Sequence, residues 1–351
     1  MRNLILPFIL LLTFIFSCRE NDMDEGLQQK TASYDVYVAG KENNNACYWK
    51  NGNKVDLING TGITAGKIMV ENNDVYVFAI SNLAPFNYYV WKNNVKIDLS
   101  QQINSSNPSN YNASINYFLV NQGNIYVLGF VSSPVVQIPN GPNFYTTELC
   151  YWKNGVKTSL FTTTSNFDQP HVTTRNFTVH NGDVYIPVNK MPYKMIDAPV
   201  EVGYFKNNTY HTVASYSDQK NFRNIASGTG GVYLSMYDVT TNRTYYKNLA
   251  TNIDTYTSQT VKGRFTVDGN AIYDFSNGQH FLKNDIASNF NYALGFNNIL
   301  DLFALDNNVY QIRDKYTNDF KESSKVYINN TEIQHIDNIN GTFNSIYVVE
   351  N

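Results

Sequence analysis

The sequence predicts an all-β chain, a seven-bladed β-propeller of four-stranded antiparallel blades closed by a C-terminal strand that joins blade one. Three observations predict it. An apolar residue followed by Tyr recurs seven times, about 45 residues apart. A second, aromatic-rich anchor ending in Asn alternates strictly with the first. The composition fits many short strands and tight turns: 51 Asn, 27 Tyr and 21 Phe in 351 residues, with only 16% charged. Asn favours turns and Tyr favours strands.

The first anchor reads Val36-Tyr37, Val75-Tyr76, Ile125-Tyr126, Val184-Tyr185, Val232-Tyr233, Ile272-Tyr273 and Val309-Tyr310. The second begins Tyr48-Trp49-Lys50-Asn51-Gly52, Val90-Trp91-Lys92-Asn93-Asn94 and Tyr151-Trp152-Lys153-Asn154-Gly155. It continues through Phe205-Lys206-Asn207, Tyr246-Lys247-Asn248, Leu282-Lys283-Asn284 and Tyr327-Ile328-Asn329. Unit two resolves into four runs: Lys67–Val70 (A), Val75–Phe78 (B), Tyr88–Trp91 (C) and Val95–Leu99 (D). Asn-Gly and Asn-Asn pairs suit two-residue hairpins, whose central residues need positive φ. No window shows a clear helical period. Four antiparallel strands in a repeat of this length make a propeller blade.

The repeats begin at a B strand (35–40) with no A strand before it. They end with Ile346-Tyr347-Val348-Val349, which matches the A run Ile68-Met69-Val70-Glu71. The last strand is therefore expected to supply the A strand of blade one and to hide both open edges.

Residues 1–33 read as an address rather than as fold. Leu4–Phe16 is an apolar run too short to cross a bilayer and of signal-peptide length. It ends in Ile15-Phe16-Ser17-Cys18, which resembles the bacterial lipobox, although Phe16 departs from the residue usual there. The resemblance implies a signal peptide over 1–17, lipidation of Cys18, and a tether over 18–33 before a propeller over 34–351. Two or three acyl chains anchor stably, at about 0.8 kcal/mol per buried CH₂. The acids Glu20, Asp22, Asp24 and Glu25 resemble the export signals of Bacteroidota lipoproteins and imply delivery to the outer membrane. The Tyr-Trp-Lys-Asn-Gly repeat likewise resembles the propeller repeats of Bacteroidota surface lipoproteins, over 34–351. That likeness is specific for fold and weak for function.

Chemistry is sparsely marked. A net charge of -3 gives no basic surplus for a phosphate backbone, so no nucleic-acid partner is expected. His171, His180, His211, His280 and His335 show no metal-ligand spacing, so neither a metal site nor a cofactor is expected. No catalytic motif is present, so no catalytic residue is assigned. Glu148, Asp168 and Glu201 read as solvated loop charges. Trp49, Trp91 and Trp152 read as core, since they occupy one place in three blades. The repeated Lys reads as an edge guard against strand addition. Cys47 and Cys150, two residues before a Trp in blades one and three, are expected to be buried free thiols too far apart to bridge.

Loop length carries the functional clue. The span from Tyr to aromatic anchor is longest in blades three and four, and long connections also lead into those blades. In an antiparallel blade the B–C and D–A loops share one face, so the insertions converge there. Their aromatic and imidazole residues, Phe86, Tyr88, Tyr111, Phe144, Tyr145, His171 and Tyr193, are the expected ligand contacts. The expected function is a membrane-anchored, noncatalytic binding or scaffold lipoprotein of the cell envelope, recognising a glycan, peptide or envelope protein through the loop face of blades two to four. The alternative is a propeller glycoside hydrolase or lyase using carboxylates near the central channel, with acids about 5–9 Å apart.

Overall fold

The computed structural model describes residues 33–108, 110–137, 143–164, 171–192, 200–257, 264–275, 280–288 and 292–351. Asp168, Tyr193 and residues 1–32, with Cys18, the signal segment and all of the tether but Ser33, lie outside them. The chain divides into two compact units, Val36–Val348 and a second made of Met1–Asp35 with Val349–Asn351. In the second, the Asn351 N–H donates to the Ser33 carbonyl (2.9 Å).

The chain forms a seven-bladed β-propeller of antiparallel sheets. Blade one takes β1 (Tyr34–Glu42), β2 (Asn45–Lys50) and β3 (Asn53–Thr61). Blade two is β4 (Ile63–Glu71), β5 (Asp74–Ser81), β6 (Tyr88–Lys92) and β7 (Val95–Asp98), followed by a one-turn helix α1 (Leu99–Asn104). Blade three is β8 (Asn112–Asn121), β9 (Asn124–Ser132), β10 (Thr146–Lys153) and β11 (Val156–Thr164). In blade four the inner strand is split into β12 (His171–Thr173) and β13 (Thr178–His180), before β14 (Asp183–Met191), β15 (Glu201–Lys206) and β16 (Thr209–Ala214). Blade five is β17 (Lys220–Gly228), β18 (Gly231–Asp238), β19 (Arg243–Asn248) and β20 (Asp254–Tyr256). Blade six is β21 (Arg264–Asp268), β22 (Ala271–Phe275), β23 (Phe281–Lys283) and β24 (Ile286–Ala287). Blade seven is β25 (Asn298–Leu305), β26 (Asn308–Thr317), β27 (Phe320–Ile328) and β28 (Thr331–Asp337). The final strand β29 (Gly341–Glu350) lies inside β1, so blade one has the order β29-β1-β2-β3 and the ring closes as the repeat register requires.

The two sequence anchors are partners across the B and C strands. Tyr37 faces Lys50, Tyr76 faces Lys92, Tyr126 faces Lys153, Tyr185 faces Lys206 and Tyr273 faces Lys283. In each pair the ammonium lies 5.3–5.6 Å from the ring centroid, within cation–π range. This corrects the edge-guard reading of Lys. The C strand lies between B and D and offers no edge, so the Lys covers the Tyr instead.

The Asn after the Lys does more than accept a positive φ. In blade three Asn154 has φ 50°. Its N–H donates to the Ile125 carbonyl, and its Oδ1 accepts from the Ile125 N–H, both at 2.8 Å. Its Nδ2 then donates to Asn124 Oδ1 (2.8 Å). Oδ1 of Asn51, Asn93, Asn207, Asn284 and Asn329 accepts in the same way from the residue before the blade's Tyr. One clamp repeated in six blades thus accounts for part of the Asn excess.

Blades pack through apolar clusters. Tyr76, Phe78 and Val90 of blade two meet Phe118, Val127 and Trp152 of blade three. The three Trp are buried as expected. Trp91 Nε1–H reaches back to the Ile58 carbonyl (2.9 Å), and Trp152 Nε1–H to Ser106 Oγ (3.2 Å). The helix α1 was not expected from periodicity. Its single turn buries only Leu99 and Ile103, four residues apart, and Asp98 caps it by accepting from the Gln101 N–H (2.9 Å). Cys47 and Cys150 are buried and free. Burial pushes both thiols up to about 12.

Candidate functional site

The inner A strands surround a cavity of about 1300 Å³. Its wall recurs in every blade, but its shape is set by a shared irregularity. Ten residues before the blade's Tyr, the A strand carries a bulge at Gly66 (to Tyr76), Asn116 (to Tyr126), Arg223 (to Tyr233) and Leu300 (to Tyr310). A bulge leaves one residue unpaired and re-aims its side chain. In blade four the strand breaks at this place, between Thr173 and Thr178. Pro187 on β14 explains the break. It has no N–H to give the inner strand, and its carbonyl instead accepts from Thr174 Oγ1 (2.8 Å). Arg175 sits in the gap, again ten residues before its Tyr185.

Charge reaches the cavity both from these irregular positions, at Arg175 and Arg223, and from regularly paired ones. Arg175, Arg223 and Arg264 line it from blades four, five and six, and Lys67, Glu71 and Asp301 line it from blades two and seven. Asp301 is committed: Lys67 Nζ lies 3.6 Å from its Oδ2, and the Ile346 N–H donates to the same oxygen (3.1 Å). Glu71 accepts from the Gln122 N–H (2.6 Å) and from the Gly123 N–H. The two blocks of charge are therefore opposite: Lys67 offsets Asp301 and leaves Glu71 on backbone N–H groups, while the three Arg gather without a paired acid among the described residues. Burial, then the like charge of Arg175, pull the Arg223 pKa below the ordinary guanidinium value. Burial raises the Tyr117 phenol, against the opposing charge of Arg175.

Rungs between neighbouring A strands hold the wall. Asn176 Nδ2 donates to Asn224 Oδ1 (3.1 Å), and the Thr178 and Ser227 hydroxyls meet at 2.7 Å. An Arg264 guanidinium N–H donates to the Leu300 carbonyl, and Asn344 Nδ2 donates to Ala65 O (2.7 Å).

The residues expected as ligand contacts are scattered. Phe86 is 62% exposed in the B–C loop of blade two, beside Leu83 at 80%. Phe144 is 39% exposed, and its backbone pairs with Val136 across the blade-three loop (2.7 and 2.9 Å). Tyr88 is half-buried and stacks on Phe78 (6.1 Å, 15°), while its N–H donates to Ser100 Oγ (2.8 Å). Tyr111 packs against the cluster of blades two and three. Tyr145 and His171 are half-buried, and His171 opens β12. None of these six lines the central cavity. Of the carboxylates read as loop charges, Glu148 is on β10 and accepts from Lys157 Nζ (2.7 Å) and Ser159 Oγ. Glu201 is on β15 and accepts from Tyr210 Oη (2.8 Å). Among the described residues no group of His, Cys, Asp and Glu could hold a metal ion.

Sequence reasoning passed over the three Arg because they belong to neither anchor. Their similar offset from the Tyr, ten residues for Arg175 and Arg223 and nine for Arg264, was the available signal.

No protein-family model matches the chain, and neither does any curated protein. Solved structures are similar in fold. An acylaminoacyl peptidase from Pyrococcus horikoshii aligns over 84% of this chain and 49% of its own, with 10% identity and a TM-score of 0.50. AztD from Citrobacter koseri aligns over 91% and 98%, at 10% identity and a TM-score of 0.49. A prolyl endopeptidase structure aligns over 78% and 48%, at 10% identity and a TM-score of 0.42. The chain spans about half the length of the archaeal peptidase, and at this identity the likeness is one of fold alone.

Proposed function

We propose that this chain is a membrane-anchored, noncatalytic binding or scaffold lipoprotein of the cell envelope, held by a lipidated Cys18 and recognising a glycan, peptide or envelope protein on the face of its B–C and D–A loops. The observation that carries this reading is the state of the cavity's carboxylates. Glu71 and Asp301, the two among its described lining residues, each serve a structural partner. The rest of the described lining mixes amide, hydroxyl, aromatic and guanidinium groups with aliphatic side chains and the Lys67 ammonium, a mixture that suits recognition. Exposed Leu83, Phe86, Val135, Val136 and Phe144 add apolar contact on the loops of blades two and three.

Two measurements test the proposal. Metabolic labelling with an alkyne fatty acid should mark the wild type and not Cys18→Ala; equal labelling would remove the anchor. A glycan and envelope-protein screen should then yield a ligand that is retained unchanged, and whose capture weakens in Phe86→Ala or Val136→Asp. Turnover of that ligand, abolished by Asp301→Asn, would replace the proposal with the hydrolase or lyase alternative.

A further inference from the structure

Three of the chain's seven Arg residues face one cavity, although the chain is acidic overall. They come from three consecutive blades. The Asn176–Asn224 hydrogen bond (3.1 Å) ties the residues that follow Arg175 and Arg223, so these two stand side by side. Both lie on the half of the A strands nearest the D–A loops, and Arg264 opens β21 on that same half. No described carboxylate pairs with any of the three. Arg223 Nε is buried with no hydrogen-bond partner among the described residues. The guanidinium planes are partly held by rings, with Arg223 4.7 Å over Tyr237 and Arg264 5.0 Å over Phe275. A guanidinium has five donors, no acceptor and a fork suited to oxyanions. Like charges gathered in a recess without a counter-charge are unfavourable, and the concave wall concentrates their field on whatever enters.

We infer that the channel mouth over blades four to six binds a ligand carrying at least two oxyanions, carboxylate or phosphate, with Arg175, Arg223 and Arg264 as the charged contacts. One oxyanion engages one fork or two, so three Arg spread over three blades call for more than one. Asn176 and Asn224, spent on each other, set the spacing of the first pair. This inference rests on the binding function proposed above and names the chemistry of its ligand.

The test is calorimetric titration of the detergent-solubilised full chain at low salt, with tripolyphosphate in one arm and citrate in the other. Saturable binding of at least one probe is expected, weakened at least tenfold in Arg223→Gln and in Arg175→Gln. Arg243→Gln is the control. Arg243 lies away from the cavity, 5.3 Å over Tyr256, and should leave the affinity unchanged. Binding in the first arm alone identifies a phosphoryl ligand, in the second a carboxylate ligand, and in both a site that reads charge. Affinity should fall as salt is raised. Should Arg223→Gln fail to fold, Arg175→Gln and Arg223→Lys keep the test intact. No saturable binding in either arm, or equal affinity in wild type and both Gln variants, overturns the inference. If a neutral glycan is still captured in that case, the binding function stands without it. If a probe is consumed rather than bound, the binding function falls instead.

Discussion

Lys153 stands opposite Tyr126 across β9 and β10, with its ammonium 5.5 Å from the ring centroid, and the next residue, Asn154, closes on Ile125 just before that Tyr. The two repeated motifs of the sequence are thus two sides of one contact. Blade five departs from it: Lys247 pairs with Asp254 instead (2.8 Å), and Tyr233 faces Asn248. Blade seven has Ile328 at the Lys position, opposite Tyr310.

Asn154 should tolerate Gly better than Ala. Ala removes the Oδ1 acceptor of the Ile125 N–H and also strains the left-handed backbone, at a cost of about 1–2 kcal/mol. Gly removes only the hydrogen bonds. Chemical denaturation of the two variants should rank them in that order, and equal losses would show that the backbone conformation contributes nothing.

Trp152→Ala should cost about 3–5 kcal/mol, the range for truncating a buried aromatic. The side chain is fully buried between blades two and three and also ties Ser106 into the connection. A loss below 1 kcal/mol by denaturant unfolding would contradict the packing described.

Asp274 should make stability fall as pH rises. Burial, with the charge of Asp285 adding to it, raises its pKa to about 7 against the hydrogen bond from Tyr246. Its folded value lies above the unfolded 3.8, so between about pH 4 and 7 the native state holds the extra proton. Stability present below pH 4 is therefore lost as pH climbs to 7, by a few kcal/mol at most. Asp274→Asn should flatten that slope and still accept from Tyr246. An unchanged pH dependence of unfolding in the variant would locate the effect elsewhere.

Cys47 and Cys150 should resist thiol reagents in the native state, since both are buried and held protonated with pKa values near 12. Ellman's reagent should react with them at the unfolding rate. Rapid native labelling of either would contradict their burial.

The fold was legible because each blade repeats the same local chemistry, and repetition separates signal from the noise of single residues. Lys153 could be seen to recur but not to cover Tyr126, since a cross-strand pair depends on register. Leu99 and Ile103 gave one helical repeat, too little for a period to show. Gly66, Asn116, Arg223 and Leu300 share a bulge but not a residue type, so no motif marked the wall they shape. Arg175, in a strand break, and Arg264, at the start of β21, belong to neither repeated anchor, so no motif marked them either. Tyr88 and Tyr111 looked like ligand contacts from loop position alone, and their contacts with the core are set by tertiary packing.

Hydrogen exchange on the full chain, with and without the ligand recovered from the binding screen, tests the central claim most directly. Ligand contact on the loop face and at that end of the channel predicts slowed exchange in the loops 82–87 and 133–137 and across 174–179 and 223–227. It also predicts unchanged exchange at the opposite hairpins 71–74, 121–124 and 305–308. Protection confined to those hairpins, or spread over the outer strands β7, β11 and β16, would contradict it.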